Sequence, residues 1–181
     1  GFLWRKLMSV YNNKSWEPLL FEKLKAYRVT IFSYVPDAGH QFLINSSIND
    51  NSIFSIPLTS EQEGVGISFG AYLGGKRSVL LMQSSGVGNC VNQFSLIRNG
   101  NFPFLTIVSM RGEKGENNPW QIPMGEAVKP VLDAMKIKSL LIDSEKNFNK
   151  NLDKVFNDVF RNGKAWAIML SQSLLGFKKF N

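Results

Sequence analysis

Two carboxylates of this sequence, Glu61 and Glu63, stand at the start of a segment of small and apolar residues. Carboxylates in such a place can exchange a proton with a ligand, or can simply complement the dipole of a helix. Gly64, Gly66 and Gly70 follow in the same segment, although glycine is a poor helix former. Because a helix with three glycines has a cost in stability, we predict that something approaches its backbone closely.

A second polar cluster, 83–89, lies between a strand-like run and a helical segment. Gly86 and Gly88 in this cluster suggest a dinucleotide-binding fingerprint, but Val91 stands at the third glycine position. No acidic residue closes a second strand about 20 residues further on, as that fingerprint requires. The two glycines therefore either form a tight turn or let the backbone approach a flat ligand or a neighbouring helix.

Cys90 and His40 are the only cysteine and the only histidine of the chain. They could in principle form a nucleophile and its base, but the sequence places no acid that would orient the imidazole. Cys90 is predicted on the buried side of a helix, where a thiol is inert. One cysteine also excludes an internal disulfide, and one cysteine with one histidine excludes a Cys/His zinc site.

The elements that must position these residues alternate along the chain, as in a parallel α/β domain. The predicted strands are Thr30–Val35, Ser52–Pro57, Ser78–Met82, Phe104–Val108, 138–142 and 164–170. The predicted helices are Ser15–Arg28, 41–48, Glu61–Leu73, Cys90–Asn99, 126–135 and 145–162.

Polar clusters follow several of these predicted strands: 36–40, 83–89 and 109–125, while 59–63 opens a helix directly after another. The carboxyl ends of parallel strands meet at one edge of a sheet, where such domains bind their ligands. The loop Met110–Gly125 is long, and long loops in compact domains are usually functional. We therefore expect one site at this edge.

Length and composition limit the classes of protein to which the chain can belong. With 181 residues, of which 44% are hydrophobic, the chain has the material of one packed domain and is not of a disordered class. We expect a domain over residues 15–181, preceded by an N-terminal extension, 1–14, that docks as an amphipathic segment. No apolar run approaches the roughly 20 residues of a membrane span, and no secretory signal is recognisable. The expected location is cytoplasmic.

The net charge of +7 is concentrated towards the two ends of the chain. Residues 1–30 and 145–181 carry +4 each, and residues 31–144 carry −1. The terminal cations alternate with apolar residues, unlike the clustered basic face of a nucleic-acid-binding protein. We therefore expect neither nucleic acid nor membrane as a partner, and we interpret the charge as a solvated face or a contact with an acidic partner.

The run Thr59–Tyr72 resembles the glutamate helix of the pyrimidine-binding domain of thiamin diphosphate enzymes, in which a glutamate precedes a glycine by nine positions, as Glu61 precedes Gly70. The clusters 36–40 and 83–89, with Arg-Gly-Glu and Asn-Pro-Trp-Gln in the long loop, narrow the resemblance to the alpha subunits of two-chain sulfopyruvate decarboxylases and to phosphonopyruvate decarboxylase. The resemblance spans roughly residues 15–170. It implies a single three-layer α/β domain with a mostly parallel, doubly wound sheet.

In that family a glutamate hydrogen-bonds the aminopyrimidine of thiamin diphosphate and so assists deprotonation of the thiazolium carbon that attacks a 2-oxo acid. The resemblance implies this catalytic role for Glu61, and Glu63 is the alternative because a two-residue shift of the alignment would exchange them. It also implies that the cofactor, or the subunit contact, is lined by residues of the second cluster: Ser85, Gly86, Gly88 and Asn89.

Substrates of the family carry a sulfonate or a phosphonate besides the carboxylate, so they need cations and hydrogen-bond donors. The resemblance implies Arg111 and His40 as the cations, with Asp37 and Gln121 as polar positioning groups. Some related decarboxylases have a histidine near the end of the third strand, where this chain has 82–84, Met-Gln-Ser. The last proton is therefore expected from His40, the cofactor's amino group, water or a partner chain.

The family holds the diphosphate and its Mg²⁺ with a Gly-Asp-Gly motif, which does not occur in this chain. The resemblance therefore implies a beta subunit that carries the diphosphate-binding domain and Mg²⁺, in a hetero-oligomer with at least two copies of each chain. We expect 3-sulfopyruvate as the substrate. Phosphonopyruvate, another small 2-oxo acid, or a non-catalytic α/β binding module remain open as alternatives.

Overall fold

A computed structural model describes residues 16–176, so the predicted N-terminal extension, 1–14, lies outside the described residues. The strands are β1 (Val29–Tyr34), β2 (Phe54–Pro57), β3 (Arg77–Gln83), β4 (Phe104–Ser109), β5 (Lys138–Ile142) and β6 (Ala165–Leu170). The helices are α1 (Trp16–Ala26), α2 (Gln41–Ile48), α3 (Glu61–Leu73), α4 (Ser84–Asn89), α5 (Phe94–Gly100), α6 (Ile122–Ala134), α7 (Phe148–Phe160) and α8 (Gln172–Leu175). Two single 3-10 turns, Ala38–His40 and Pro119–Gln121, lie in the loops.

The six strands form one sheet in the order β2-β1-β3-β4-β6-β5, and every neighbouring pair is parallel. The chain builds the sheet outward from β1 to β2, then crosses to β3 on the other side. The direction of winding therefore reverses between β1 and β3, and ligands of doubly wound folds bind outside the carboxyl ends of the strands at such a point. The predicted fold class is confirmed.

Helices cover both faces of the sheet, which gives three layers and two cores. One core packs α1, α2 and α7 on alternate residues of the strands, with Trp16, Phe32 and Phe156 fully buried. The other packs α3, α4, α5 and α6 on the opposite face, around Leu80 and Phe94. Because the central strands are buried on both faces, they read in the sequence as continuous apolar runs.

Most predicted elements are present, and those over 41–48, Glu61–Leu73 and 138–142 have the predicted bounds. The cluster 83–89 departs from expectation, because Ser84–Asn89 forms helix α4 rather than a turn. Helix α6 begins at Ile122 instead of 126, with Pro123 in its first turn, where proline has no hydrogen bond to lose. No helix among residues 16–176 is long and apolar enough to cross a membrane.

Candidate functional site

Glu61 lies in the first turn of α3, and its residue surface is only 7% exposed. The side-chain amide of Asn89, at the end of α4, donates to its Oε2 at 2.8 Å. Helix α4 passes so close that a Cβ atom at Gly86 would lie 2.6 Å from Cγ and 2.7 Å from Oε1 of Glu61. Gly86 is therefore required for a close approach between two helices, and it does not serve a tight turn.

Glu63 has a different position, although it stands only two residues away. It is exposed, and its Oε2 accepts a hydrogen bond from the backbone N–H of Thr59 at 3.0 Å. A carboxylate that satisfies a backbone donor ahead of the helix is a cap. Of the two carboxylates considered from the sequence, the structure therefore buries Glu61 at the sheet edge and uses Glu63 to begin the helix.

The glycines of α3 and α4 do not share one purpose. A Cβ at Gly64 would meet the side chain of Leu80, so this glycine lets α3 lie close on the sheet. A Cβ atom at Gly66 or Gly70 would have no neighbour within 4 Å. Among the described residues, the predicted close approach to the helix backbone is therefore absent at these two glycines. At Gly88 a Cβ would lie 3.2 Å from Met124 on α6, which makes this glycine a helix-packing residue.

Asp37 joins the ends of three strands at the point where the winding reverses. Its Oδ2 accepts from the N–H of Gly39 at 2.8 Å and from Oγ of Ser109 at 2.7 Å. Its Oδ1 accepts from Nε2 of Gln83 at 3.2 Å, and Oε1 of Gln83 accepts from Oγ of Ser85 at 3.0 Å. A hydrogen-bonded chain therefore connects the first polar cluster with helix α4.

His40 lies beneath this network and is 1% exposed. Its Nε2 is 3.0 Å from the carbonyl oxygen of Met82, which can only accept, so Nε2 carries the proton. Burial lowers the pKa of His40, against the raising effect of the Met82 carbonyl and of Asp37. The imidazole is therefore neutral at neutral pH, and its buried Nδ1 has no hydrogen-bond partner among the described residues.

Arg111, at the start of the long loop, is 8% exposed and forms a bidentate ion pair with Glu116. The distances are 2.6 Å from Nε to Oε2 and 2.7 Å from Nη2 to Oε1. Glu116 also accepts from the N–H groups of Gly112 and Asn118 and from Nε2 of Gln172. The guanidinium of Arg111 first, and then the N–H groups of Asn118 and Gly112, hold the pKa of Glu116 well below its usual range, against the opposing effect of burial.

A second carboxylate ties the long loop to the end of β6. Glu113 accepts from Oγ of Ser171 at 2.8 Å and from the N–H of Gln172 at 2.6 Å, and its own N–H donates to Oε1 of Gln172 at 2.8 Å. The prediction of a functional loop did not include Glu113, Glu116 or Gln172 as residues of the site. In the sequence, these three residues are marked only as polar residues that follow a strand. Ordinary surface loops have the same pattern, so it did not identify them.

Gln121 stands at the far end of the same loop, in the 3-10 turn before α6. The two ends of the loop meet, because Cβ atoms at Gly112 and Gly125 would collide with the backbone of Gln121 and of Arg111 respectively. Gly112 has a φ of +77°, a conformation that favours glycine. The structure thus brings Gln121 near Arg111, while the adjacent Trp120 is 85% exposed.

A cavity of about 220 Å³ opens at this edge between the loops that follow β1, β4 and β6. Its lining residues are Asp37, Ala38, Gly39, Ser109, Met110, Arg111, Gln172, Leu175 and Gly176. Two of the predicted substrate residues, Asp37 and Arg111, therefore share one cavity. His40 and Gln121 do not line it, and neither do Glu61 of α3 and Asn89 of α4.

Cys90 is fully buried, as expected from the sequence. Burial, followed by the nearby charge of Glu61, raises the pKa of the thiol to about 12. The thiolate is therefore negligible at neutral pH, which confirms that Cys90 is not a nucleophile. Among residues 16–176 no three His, Cys, Asp or Glu side chains are grouped so that they could hold a metal ion.

The sequence of the chain is similar to those of several known proteins. The chain is 42% identical over 110 residues to the sulfopyruvate decarboxylase subunit alpha of Methanococcus maripaludis, which covers 60% of this chain and 66% of that protein. It is 36% identical over 155 residues to the same subunit of Methanothermobacter thermautotrophicus, covering 79% of this chain and 94% of the relative. No model of a protein family matches the chain.

A phosphonopyruvate decarboxylase of Streptomyces viridochromogenes is also similar, at 33% identity over 116 residues, which is 63% of this chain and 29% of that protein. These relatives are named as decarboxylases, which are carboxy-lyases, and the archaeal ones as one subunit of their enzyme. Since the match to the Methanothermobacter subunit spans nearly its whole length, the chain belongs to the family of sulfopyruvate decarboxylase alpha subunits.

Proposed function

We propose that this chain is the pyrimidine-binding subunit of a thiamin diphosphate-dependent decarboxylase that converts 3-sulfopyruvate to sulfoacetaldehyde and CO₂. Family membership supports the class of reaction. The observation that carries the proposal is the buried carboxylate of Glu61, which one helix presents and a second helix holds through Asn89 and the close approach of Gly86.

The surroundings of Glu61 fit an aminopyrimidine ring. Asn89 occupies Oε2, whereas Oε1 accepts no hydrogen bond from the described residues. A ring nitrogen needs a carboxyl oxygen with which it can share a proton, and Oε1 supplies one in a site that is largely shielded from water. Ser85, Gly86 and Asn89 lie on α4, the helix that we propose to pack beside the bound ring.

When bound, thiamin diphosphate supplies the carbon nucleophile and the electron sink that decarboxylation of a 2-oxo acid requires. Glu61 holds a proton between its Oε1 and the ring nitrogen, and Asn89 fixes the orientation of the carboxylate for that exchange. Because Gly86 packs on the same side chain, the carboxylate has little freedom to turn away. Such preorganisation is the protein's share of the catalysis.

We propose that the substrate binds in the cavity lined by Asp37 and Arg111. At about 220 Å³ it exceeds the roughly 150 Å³ of a cavity that binds benzene, so it has room for a three-carbon acid with a second anionic group. Arg111 offers its remaining N–H groups to an anion, and Asp37 positions the loops after β1 and β3. Gln121, which does not line the cavity, is proposed as a polar positioning group at the far end of the loop. We also propose His40 for transfer of the last proton, through its buried Nδ1, which has no hydrogen-bond partner among the described residues.

The diphosphate and its Mg²⁺ are assigned in this proposal to a second chain, a beta subunit with a Gly-Asp-Gly motif. The naming of the archaeal relatives as alpha subunits supports a second kind of chain. We further propose a hetero-oligomer with at least two copies of each chain. Gly66 and Gly70, which leave the exposed face of α3 open, are compatible with a contact between chains there.

Phosphonopyruvate is the second candidate substrate, because a phosphonopyruvate decarboxylase is among the relatives. Co-expression of this chain with a chain that carries Gly-Asp-Gly, followed by assay of aldehyde release, tests both. We expect turnover of sulfopyruvate above that of phosphonopyruvate and pyruvate, dependent on thiamin diphosphate and Mg²⁺. A purified, folded complex that binds thiamin diphosphate and releases aldehyde from none of the three would favour the non-catalytic module and contradict the proposal.

A further inference from the structure

The cation that lines the substrate cavity is already compensated. Arg111 is the sole positively charged side chain among the described residues that line it. Glu116 occupies one edge of its guanidinium, at 2.6 Å from Nε and 2.7 Å from Nη2. Glu116 itself does not line the cavity but stands behind Arg111. An anion that enters therefore meets a neutral pair and not a free positive charge.

The rest of the described lining adds no positive charge. Asp37 is its other ionisable side chain, and the remaining residues are neutral. Because Glu116 neutralises Arg111, the pair carries no net charge towards a ligand. Such a cavity binds an anion through directed N–H groups, and a second negative charge on the ligand costs more to remove from water while gaining little attraction.

Glu116 cannot move away to release Arg111. Its carboxylate is fixed by the N–H of Gly112 at 3.2 Å, by the N–H of Asn118 at 2.9 Å and by Nε2 of Gln172 at 2.9 Å. Its side chain is 3% exposed, and that of Arg111 is 10% exposed. Separating them would leave two buried charges without an opposite charge beside them, which costs several kcal/mol. The compensation is therefore a permanent property of the cavity.

We propose that Glu116 is a specificity-determining residue, which makes this cavity favour a sulfonate over a phosphonate. This inference rests on the proposed function, because it assumes that the cavity holds the second anionic group of a 2-oxo acid. Both groups are tetrahedral and offer three oxygens, so the N–H groups of Arg111 serve either. They differ in charge, since a sulfonate keeps one negative charge whereas a phosphonate loses a second proton near neutral pH.

The test compares two substrates in the complete two-chain enzyme at about pH 8, where a phosphonate is largely dianionic. The measured quantity is the ratio of kcat/KM for sulfopyruvate to kcat/KM for phosphonopyruvate. Glu116→Gln removes the charge and keeps the shape. One unit charge about 10 Å away, at an effective dielectric constant of about 20, changes this ratio on the order of tenfold. We expect the ratio to fall by that factor.

Two further variants separate charge from structure. Glu116→Asp keeps the charge, so its ratio should stay within about twofold of the wild-type ratio even if both rates fall. Glu113→Gln removes a carboxylate of the same loop that binds Ser171 and Gln172 instead of Arg111, and should change the ratio less than Glu116→Gln does. A purely structural role of Glu116 would lower both kcat/KM values and leave the ratio unchanged.

An unchanged ratio in Glu116→Gln, or an equal change in Glu113→Gln, would overturn the inference while leaving the decarboxylase assignment intact. Should Glu116→Gln fold poorly, the wild-type enzyme at about pH 6 provides the second route, because a larger share of the phosphonate then carries only one negative charge. The ratio should be lower at about pH 6 than at about pH 8, and an unchanged ratio would contradict the inference. Absence of activity with both substrates in the wild-type complex would instead contradict the proposed function.

Discussion

Gly86 and Glu61 lie in such close contact that a Cβ atom on the glycine would stand 2.6 Å from Cγ of the glutamate. This contact joins the start of α3 to the middle of α4, two helices that follow different strands of the sheet. Gly86 thereby allows α4 to hold Asn89 within hydrogen-bond distance of the carboxylate. The position of Glu61 is thus set by backbone packing as much as by its own helix.

Gly86→Ala is therefore expected to displace the Glu61 side chain. A misplacement of about 1 Å can lower catalysis on the order of a hundredfold, so we expect kcat/KM of the two-chain enzyme to fall at least about tenfold. Steady-state kinetics measures the effect, and the unfolding midpoint of the isolated chain reports whether the fold persists. Wild-type kcat/KM in a folded Gly86→Ala enzyme would show that the contact does not matter.

The glycines of α3 give an internal comparison of stability. Gly66→Ala adds a methyl group where no atom lies within 4 Å, so it should raise the free energy of unfolding by about 0.5–1 kcal/mol. Gly64→Ala drives a methyl group into Leu80 and should lower it by about 1–3 kcal/mol. Urea unfolding of the isolated chain measures both, and effects of the same sign would contradict this account of the helix.

The Arg111–Glu116 pair predicts how stability depends on acid. The folded-state pKa of Glu116 lies below its unfolded value, so the folded chain binds fewer protons at this group. The stability that the pair contributes is fully present above the ordinary carboxyl pKa of 4.5 and is lost as the pH falls below it. Glu116→Gln should therefore unfold at lower urea concentration than wild type near pH 7, with a smaller difference near about pH 3. A difference that grows as the pH falls would contradict this sign.

Cys90 should resist alkylation in the folded chain. Its thiol has a pKa of about 12 and is fully buried, so iodoacetamide should modify it slowly at neutral pH and rapidly in denaturant. Because the chain has one cysteine, the mass increase of the intact protein measures the reaction directly. Rapid modification of the folded chain would mean that the turn between α4 and α5, which holds Cys90, opens far more readily than its packing indicates.

The fold could be predicted because it depends on local pattern, in which apolar runs alternate with amphipathic segments. The local pattern did not separate Glu61 from Glu63. The resemblance favoured Glu61, and the structure shows that Glu61 is the buried one of the two. The helix Ser84–Asn89 could not be predicted, because two glycines and two serines in six residues favour a turn. Only the packing of this segment on Glu61 and Met124 accounts for its helical form.

The electrostatics of the loop could not be predicted for a similar reason. Arg111 reads in the sequence as a cation for the substrate, and nothing local distinguishes Glu116 from an exposed loop carboxylate. Arg111 and Glu116 lie in the same loop, but Glu116 is also held by Gln172, which the pairing of β4 with β6 brings to the loop from far along the chain. His40 likewise reads as a cation, whereas burial under Asp37 and against Met82 makes it neutral.

The most direct test of the account is the activity of Glu61→Gln in the two-chain enzyme, with Glu63→Gln as the matched control. Glutamine keeps the hydrogen bond that Asn89 or Thr59 donates, but it cannot hold the proton that we propose Glu61 to share with the ring. We expect Glu61→Gln to lower kcat by at least about a hundredfold, and Glu63→Gln to remain within about twofold of wild type. A Glu61→Gln enzyme that retains wild-type kcat, or an equal loss in Glu63→Gln, would contradict the central claim.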